Sequence, residues 1–196
     1  MREFSIALHA SRITRHYTMN PIGLFYGSTN GTTAQIANRI QHEFESVHHQ
    51  RVELFDVAEF YLEEMLEFDR LIFGIPTWNH GQLQRDWETV FEEFDQLDLQ
   101  GKRVAIFGVG DQVGYPTTFG DAVFILADKV RERKATLVGS WPIQHYLFQN
   151  SWAVEGDHLL GLLLDEDNQP ELSNARITAW VEQLIVEFGE VMTEYE

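Results

Sequence analysis

The chain has 196 residues, 44% hydrophobic and 13% aromatic, with 31 acidic against 14 basic side chains and no cysteine. That length and apolar content suit one globular domain and exclude disorder, and no run of about 18 uncharged apolar residues is present to suggest a membrane span. The missing cysteines exclude disulfides, thiolate metal sites and cysteine catalysis. A formal net charge of −17 argues against nucleic acid or an anionic membrane as partner and in favour of basic proteins.

The first 18 residues, MREFSIALHASRITRHYT, carry three arginines and one acid without a clear period, and Met19 stands just before the first apolar run. They read as a leader or mis-assigned start outside the fold, leaving 19–196 as the folded domain. Ile22 to Tyr26 predicts a strand. Thr32 to Phe44 predicts a helix with Ile36, Ala37, Ile40 and Phe44 on one stripe. Arg51 to Phe55 is a more polar strand suited to an edge, whereas Leu71 to Ile75 is apolar throughout, as in a strand covered on both faces. A helical pattern follows through Leu83, Trp87, Val90, Phe91 and Phe94; then come a strand at Arg103 to Phe107, a helix at Phe119 to Val130 and a fifth strand at Thr136 to Trp141. The last helix is expected from Ser173, as N-cap, through Phe188. His48 and His49 close the first helix and lack a third ligand, so they read as helix-end residues and not as a metal site.

Alternating strands and helices predict an α/β fold: a doubly wound five-stranded parallel sheet whose ligand site lies beyond the carboxyl ends of the strands. The segment between Trp141 and Ser173, with the apolar run Leu159 to Leu164 and the acidic turn Asp165 to Gln169, breaks the rhythm. It reads as an insertion within or after the fifth strand.

Three loops then share one rim. Gly27-Ser28-Thr29-Asn30-Gly31-Thr32-Thr33 offers hydroxyls, an amide and a helix N-terminus to a phosphate, and is equally a capped strand-to-helix turn. It is not a Walker loop: its glycines are too close and no lysine follows. Pro76-Thr77-Trp78-Asn79-His80-Gly81 places a tryptophan between a buried strand and a helix, a position that suits core packing as well as a ligand platform. Gly108-Val109-Gly110-Asp111-Gln112-Val113-Gly114-Tyr115 departs from the dinucleotide fingerprint, because three residues separate Gly110 from Gly114. Taken together, a hydroxyl nest, a tryptophan and a glycine loop ending in tyrosine suit a planar aromatic ring carrying a phosphate, such as flavin mononucleotide (FMN).

The stretches GLFYGSTNGTT, GIPTWNHGQLQRDW, GKRVAIFGVGDQVGY and GLLLDEDNQPELSNARITAWVEQL resemble, in order and spacing, the long-chain bacterial flavodoxins. The resemblance covers Met19 to about Phe188 and implies strand order 2-1-3-4-5 with a long-chain insertion. It further implies non-covalent FMN and a low-potential one-electron carrier, not an enzyme. In that family's pattern Ser28, Thr29, Asn30, Gly31, Thr32 and Thr33 hold the phosphate. Trp78 and Tyr115 cover the two ring faces, and Thr77, Asn79, Gly110, Asp111 and Gln112 line the ring edge, with Pro76, His80, Gly81, Gly108, Val109 and Thr118 beside them. The Asn79–His80 peptide is the one that flips on reduction in relatives.

The chain departs from the pattern at Asn30, usually threonine, at His80, usually apolar, and at Thr118, where some members have asparagine. It also lacks the acidic residues that many relatives carry around Gln144 to Leu147. The implied partners are a ferredoxin/flavodoxin-NADP reductase-type donor and redox acceptor enzymes, steered by rim acids such as Asp86 and Asp111. The implied state is a cytoplasmic monomer. Two rival readings carry their own tests: an NAD(P)H-dependent quinone or FMN reductase would oxidise NADPH unaided, and a receiver-like domain would bind no flavin.

Overall fold

In the computed structural model, residues 17–189 and 192–194 are described. Four strands, β1 (Ile22–Tyr26), β2 (Val52–Asp56), β3 (Arg70–Pro76) and β4 (Arg103–Val109), pair in parallel in the order β2-β1-β3-β4. The fifth position is occupied twice. Strand β5 (Thr136–Val138) pairs with Arg103 to Ala105, and β6 (Leu162–Leu164) continues the edge opposite Phe107 to Val109. The order is therefore 2-1-3-4-5, with the fifth strand split.

The split corrects two expectations. The strand predicted at Thr136 to Trp141 ends at Val138, because Gly139 turns with φ 77° and is held there: its carbonyl accepts from Trp180 Nε1 at 2.8 Å and its N–H donates to Glu187 at 2.6 Å. The run Leu159 to Leu164 is not wholly insertion, since its second half returns to the sheet as β6. Between them, Trp141–Pro142, Val154–Glu155 and His158–Leu159 form a small antiparallel sheet of their own.

Period-two alternation sends the strand side chains to two cores. Ile22, Leu24, Ile72 and Phe107 pack under α1 (Thr32–Val47) and α4 (Pro170–Phe188), where Trp180 is fully buried. Phe25, Phe73 and Ile106 pack under α2 (Arg85–Val90) and α3 (Asp121–Glu132), around Trp87 and Phe94. A buried tryptophan of this kind is worth roughly 3–5 kcal/mol against truncation to alanine.

Three helices differ from expectation for local reasons. The segment Leu83 to Phe94 divides into α2 and a 3-10 turn at Phe91–Gln96. Helix α3 begins at Asp121 because Gly120 takes a left-handed conformation just before it. Helix α4 begins at Pro170, where a fixed φ suits the first turn and no donor is lost; Ser173 is therefore a buried residue inside the helix and not its cap. Tyr17–Met19, partly in the segment expected to lie outside the fold, pairs antiparallel with Met192–Glu194. Residues 1–16, the rest of the expected leader, lie outside the described residues. No helix among the described residues is long and apolar enough to cross a membrane.

Candidate functional site

At the carboxyl end of β1 the chain enters the first loop through Gly27, whose N–H donates to the Gly74 carbonyl of β3 at 3.1 Å. A Cβ at Gly27 would lie 2.3 Å from Gln84 Oε1 and 2.7 Å from Trp87 Cδ1, so only glycine fits between loop and α2. Gly31 turns left-handed (φ 84°) and starts α1 without a side-chain cap of its own and with no acid in the first turn. Ser28 Oγ reaches forward to accept from Ala34 N–H at 3.2 Å. The helix thus presents its positive N-terminal end to the loop's hydroxyls.

Gln84, passed over in the sequence, organises this side. Its Oε1 accepts from the N–H groups of Asp86 (3.2 Å) and Trp87 (3.3 Å), capping α2, while its Nε2 donates to Thr29 Oγ1 at 3.0 Å. Glutamine ranks outside the usual cap residues, which hid its role. The adjoining Trp87 donates from Nε1 to the Gly74 carbonyl at 2.9 Å.

The second loop folds as a tight turn. Trp78 and Gln82 exchange both backbone hydrogen bonds, at 3.0 and 2.8 Å, with Asn79 (φ 48°) and Gly81 (φ 90°) left-handed between them. Asn79 Nδ2 donates to Gln82 Oε1 at 2.7 Å. His80, at the exposed tip, stands edge-on to Tyr115 of the third loop, with ring centroids 5.8 Å apart and an interplanar angle of 70°.

The third loop is held from a distance. Buried Asp165 accepts from Gln112 N–H at 3.1 Å on one oxygen, and from the N–H groups of Asp167 (3.1 Å) and Asn168 (2.9 Å) on the other. Asn168 Nδ2 donates on to Asp111 Oδ1 at 2.8 Å. Asp111 also accepts from Gly114 N–H (2.7 Å) and Val113 N–H (3.0 Å); the Gly114 bond above all, helped by those from Asn168 and Val113, holds its carboxyl below the usual carboxylate range against the opposing effect of desolvation. The Gly110 N–H donates to the Leu164 carbonyl at 3.1 Å.

The three loops enclose a cleft of about 350 Å³. Of the expected residues, Ser28, Thr29, Asn30, Thr32, Thr33, Pro76, Thr77, Trp78, Asn79, Val109, Gly110, Asp111 and Tyr115 line it. Six do not. Gly31 is the left-handed hinge behind the loop, His80 projects outward, and Gly81 packs on Asp121. Gly108 faces Val123 and Leu163 in the core. Gln112 is a buried strut whose Oε1 accepts from Leu147 N–H at 2.5 Å, and Thr118 donates its N–H to the Tyr115 carbonyl at 3.2 Å while its own carbonyl accepts from Asp121 N–H at 3.3 Å.

Glu166 and Asp167 line the cleft and were missed, because the acidic turn that carries them had been counted with the insertion. Glu166 pairs with Arg39 of α1 at 3.0 Å. No lysine or arginine is among the lining residues, and Thr77 Oγ1 is buried without a hydrogen-bond partner. The cleft therefore offers neutral hydroxyl and amide donors, two aromatic rings and an orphaned hydroxyl, beside three carboxylates. Among the described residues no group of three or more His, Asp or Glu side chains could hold a metal ion.

The flavodoxin family model matches residues 24–180. Flavodoxin of Synechococcus elongatus is 48% identical over 173 residues, covering 87% of this chain and 99% of that protein; flavodoxin 1 of Escherichia coli is 40% identical over 163 residues, covering 83% and 91%. The structure of Fusobacterium nucleatum flavodoxin bound to flavin mononucleotide superposes with a TM-score of 0.82 at 28% identity, covering 87% of this chain and all of that one. With the parallel order 2-1-3-4-5, the loops clustered at its carboxyl rim and this extent of identity, the chain belongs to the flavodoxin family.

Proposed function

We propose that the cleft holds FMN without a covalent bond and that the protein is an electron carrier between redox proteins. The observation that carries this is the cleft itself: a hydroxyl loop at the N-terminus of α1, Trp78, Tyr115 and the orphaned Thr77 hydroxyl all open into one 350 Å³ space. The donor set fits the cofactor. Ser28, Thr29, Asn30, Thr32 and Thr33 would hold the phosphate with neutral groups and the helix dipole. Trp78 and Tyr115 would flank the ring, and the Thr77 hydroxyl and the backbone of Gly110 and Asp111 would read its edge.

When bound, FMN supplies reversible one-electron chemistry that no side chain of this protein offers. The chain sets the terms on which electrons are held. Asp111 and Asp167 line the cleft, Glu166 beside them is paired with Arg39, and no lysine or arginine is among the lining residues, so negative charge added inside it is opposed electrostatically and the potential for full reduction is low. Tyr115 is 41% exposed, which leaves one wall of the cleft open to a docking protein.

The finer reading is a ferredoxin/flavodoxin-NADP reductase-type donor and a cytoplasmic, monomeric carrier, with the acids of the rim steering a basic partner. The test is stepwise reductive titration of the FMN-loaded protein followed by visible absorbance. Two resolved one-electron steps with transient long-wavelength absorbance are expected. Direct two-electron bleaching would overturn the one-electron reading, and NADPH oxidation by the protein alone would favour a reductase.

A further inference from the structure

Asp121 is the first residue of α3 and is 1% exposed. It does not line the cleft, yet it touches two segments remote from each other in the chain. Its side chain packs on the bare face of Gly81 in the Trp78–Gln82 turn, where an added Cβ would lie 2.9 Å from Asp121 Oδ2 and 3.1 Å from its Cβ. Its Oδ1 accepts from Trp152 N–H at 2.8 Å, and Trp152 belongs to the segment between β5 and β6. The Trp152 ring stands edge-on to Phe124 one turn along α3, with centroids 6.0 Å apart.

The same segment grips the third loop. Leu147 N–H donates to Gln112 Oε1, and the N–H groups of Gln149 and Asn150 donate to the Pro116 carbonyl at 2.7 and 3.0 Å. Residues 147–152 therefore reach both aromatic walls: the Tyr115 loop directly, and the Trp78 turn through Asp121. Burial pushes the Asp121 carboxyl up, opposed by the Trp152 hydrogen bond. Such a residue is kept for its shape and acceptor more than for its charge.

We propose that Asp121 is a positioning residue for the Trp78–Gln82 turn, joining that turn to the 139–161 segment so that both aromatic walls of the cleft share one brace. This rests on the reading of the cleft as an FMN site. Gly81 is left-handed, so alanine there is strained in any background; only the part of its cost that comes from contact with Asp121 depends on residue 121.

The test combines FMN dissociation constants, from quenching of flavin fluorescence, with amide exchange of the apoprotein, for Asp121→Ala, Asp121→Asn, Gly81→Ala and the Gly81→Ala/Asp121→Ala pair. Losing the acceptor for a partly buried N–H should weaken FMN binding by about tenfold in Asp121→Ala, whereas Asp121→Asn, which keeps shape and acceptor, should stay close to the parent. Exchange should quicken at Trp78, Gln82 and Trp152 in Asp121→Ala and stay unchanged at Ala34. The Gly81→Ala penalty should shrink when Asp121 is already alanine. Parent-like binding and exchange in Asp121→Ala, an Asn variant as defective as the Ala one, or strictly additive penalties would each overturn the proposal. Should Asp121→Ala not fold, Asp121→Asn and Gly81→Ala still decide it: the proposal then requires Asn to restore parent-like exchange and Gly81→Ala to quicken exchange at Trp152, and either failure overturns it. If the parent does not bind FMN, the functional reading fails while the apoprotein exchange still judges Asp121.

Discussion

The two ends of the cleft are built in different ways. The hydroxyl loop at Ser28 to Thr33 is stabilised largely by its own neighbourhood: a left-handed Gly31, the start of α1 and the Ser28–Ala34 hydrogen bond, with Gln84 as a distant tie. The Asp111–Tyr115 loop closes locally on the Asp111 carboxylate but is anchored by residues more than fifty positions away, Asp165 and Asn168, and by the segment around Leu147. A local turn survives changes elsewhere, whereas a loop held by distant acceptors fails with them.

Replacing Asp165 should break the contrast most visibly. In Asp165→Ala the N–H groups of Gln112, Asp167 and Asn168 lose their acceptor in a buried or partly buried setting, at about 1–3 kcal/mol for each group left unsatisfied. An overall loss of about 3 kcal/mol or more is expected in urea unfolding, with faster amide exchange at Gln112 to Tyr115. Exchange at Ala34 should not change. Equal loosening of both loops would show that the two ends are one cooperative unit.

A smaller effect, on the opposite end, is expected of Gln84→Ala. It removes the α2 cap and the hydrogen bond to Thr29 together, a loss of about 1–2 kcal/mol by analogy with other N-cap removals. Thermal unfolding measures it, and exchange at Asp86 and Trp87 locates it. Loosening of the Asp111 loop in this variant would contradict the separation of the two ends.

The same contrast explains what could be read from the sequence. Strands β1 to β4 and helix α1 follow from apolar period and loop glycines, so their order and the rim on which three loops meet were open to inspection. Most of the residues expected at the cleft do line it. What escaped depends on pairs remote in the chain. Gln84 is an atypical cap, Asp165 and Asn168 sit in an acidic turn with no period, and Glu166 and Asp167 reach the cleft only because β6 returns to the sheet beside β4. Gln112 and Thr118 are expected at the cleft from the family resemblance; in the fold neither is among the lining residues, and Gln112 is buried against Leu147 N–H.

The mildest perturbation acts through Asp111, at the hinge of the distant network. Its carboxylate is held below its ordinary value first by Gly114 N–H, and then by Asn168 and Val113. A depressed folded pKa means that the contribution is fully present above the unfolded value, about 3.9, and is lost as pH falls through the lower folded value. Asp111→Asn removes that ionisation while keeping one acceptor oxygen for the loop. At neutral pH the variant should be slightly less stable than the parent, because a neutral acceptor replaces a charged one. Below about pH 4 the two should converge, as the parent's carboxylate also becomes neutral. Urea unfolding across this window measures the gap. A gap that stays constant down to the lowest pH would mean that Asp111 acts through shape alone, and that the charge beside Tyr115 contributes nothing to holding the loop.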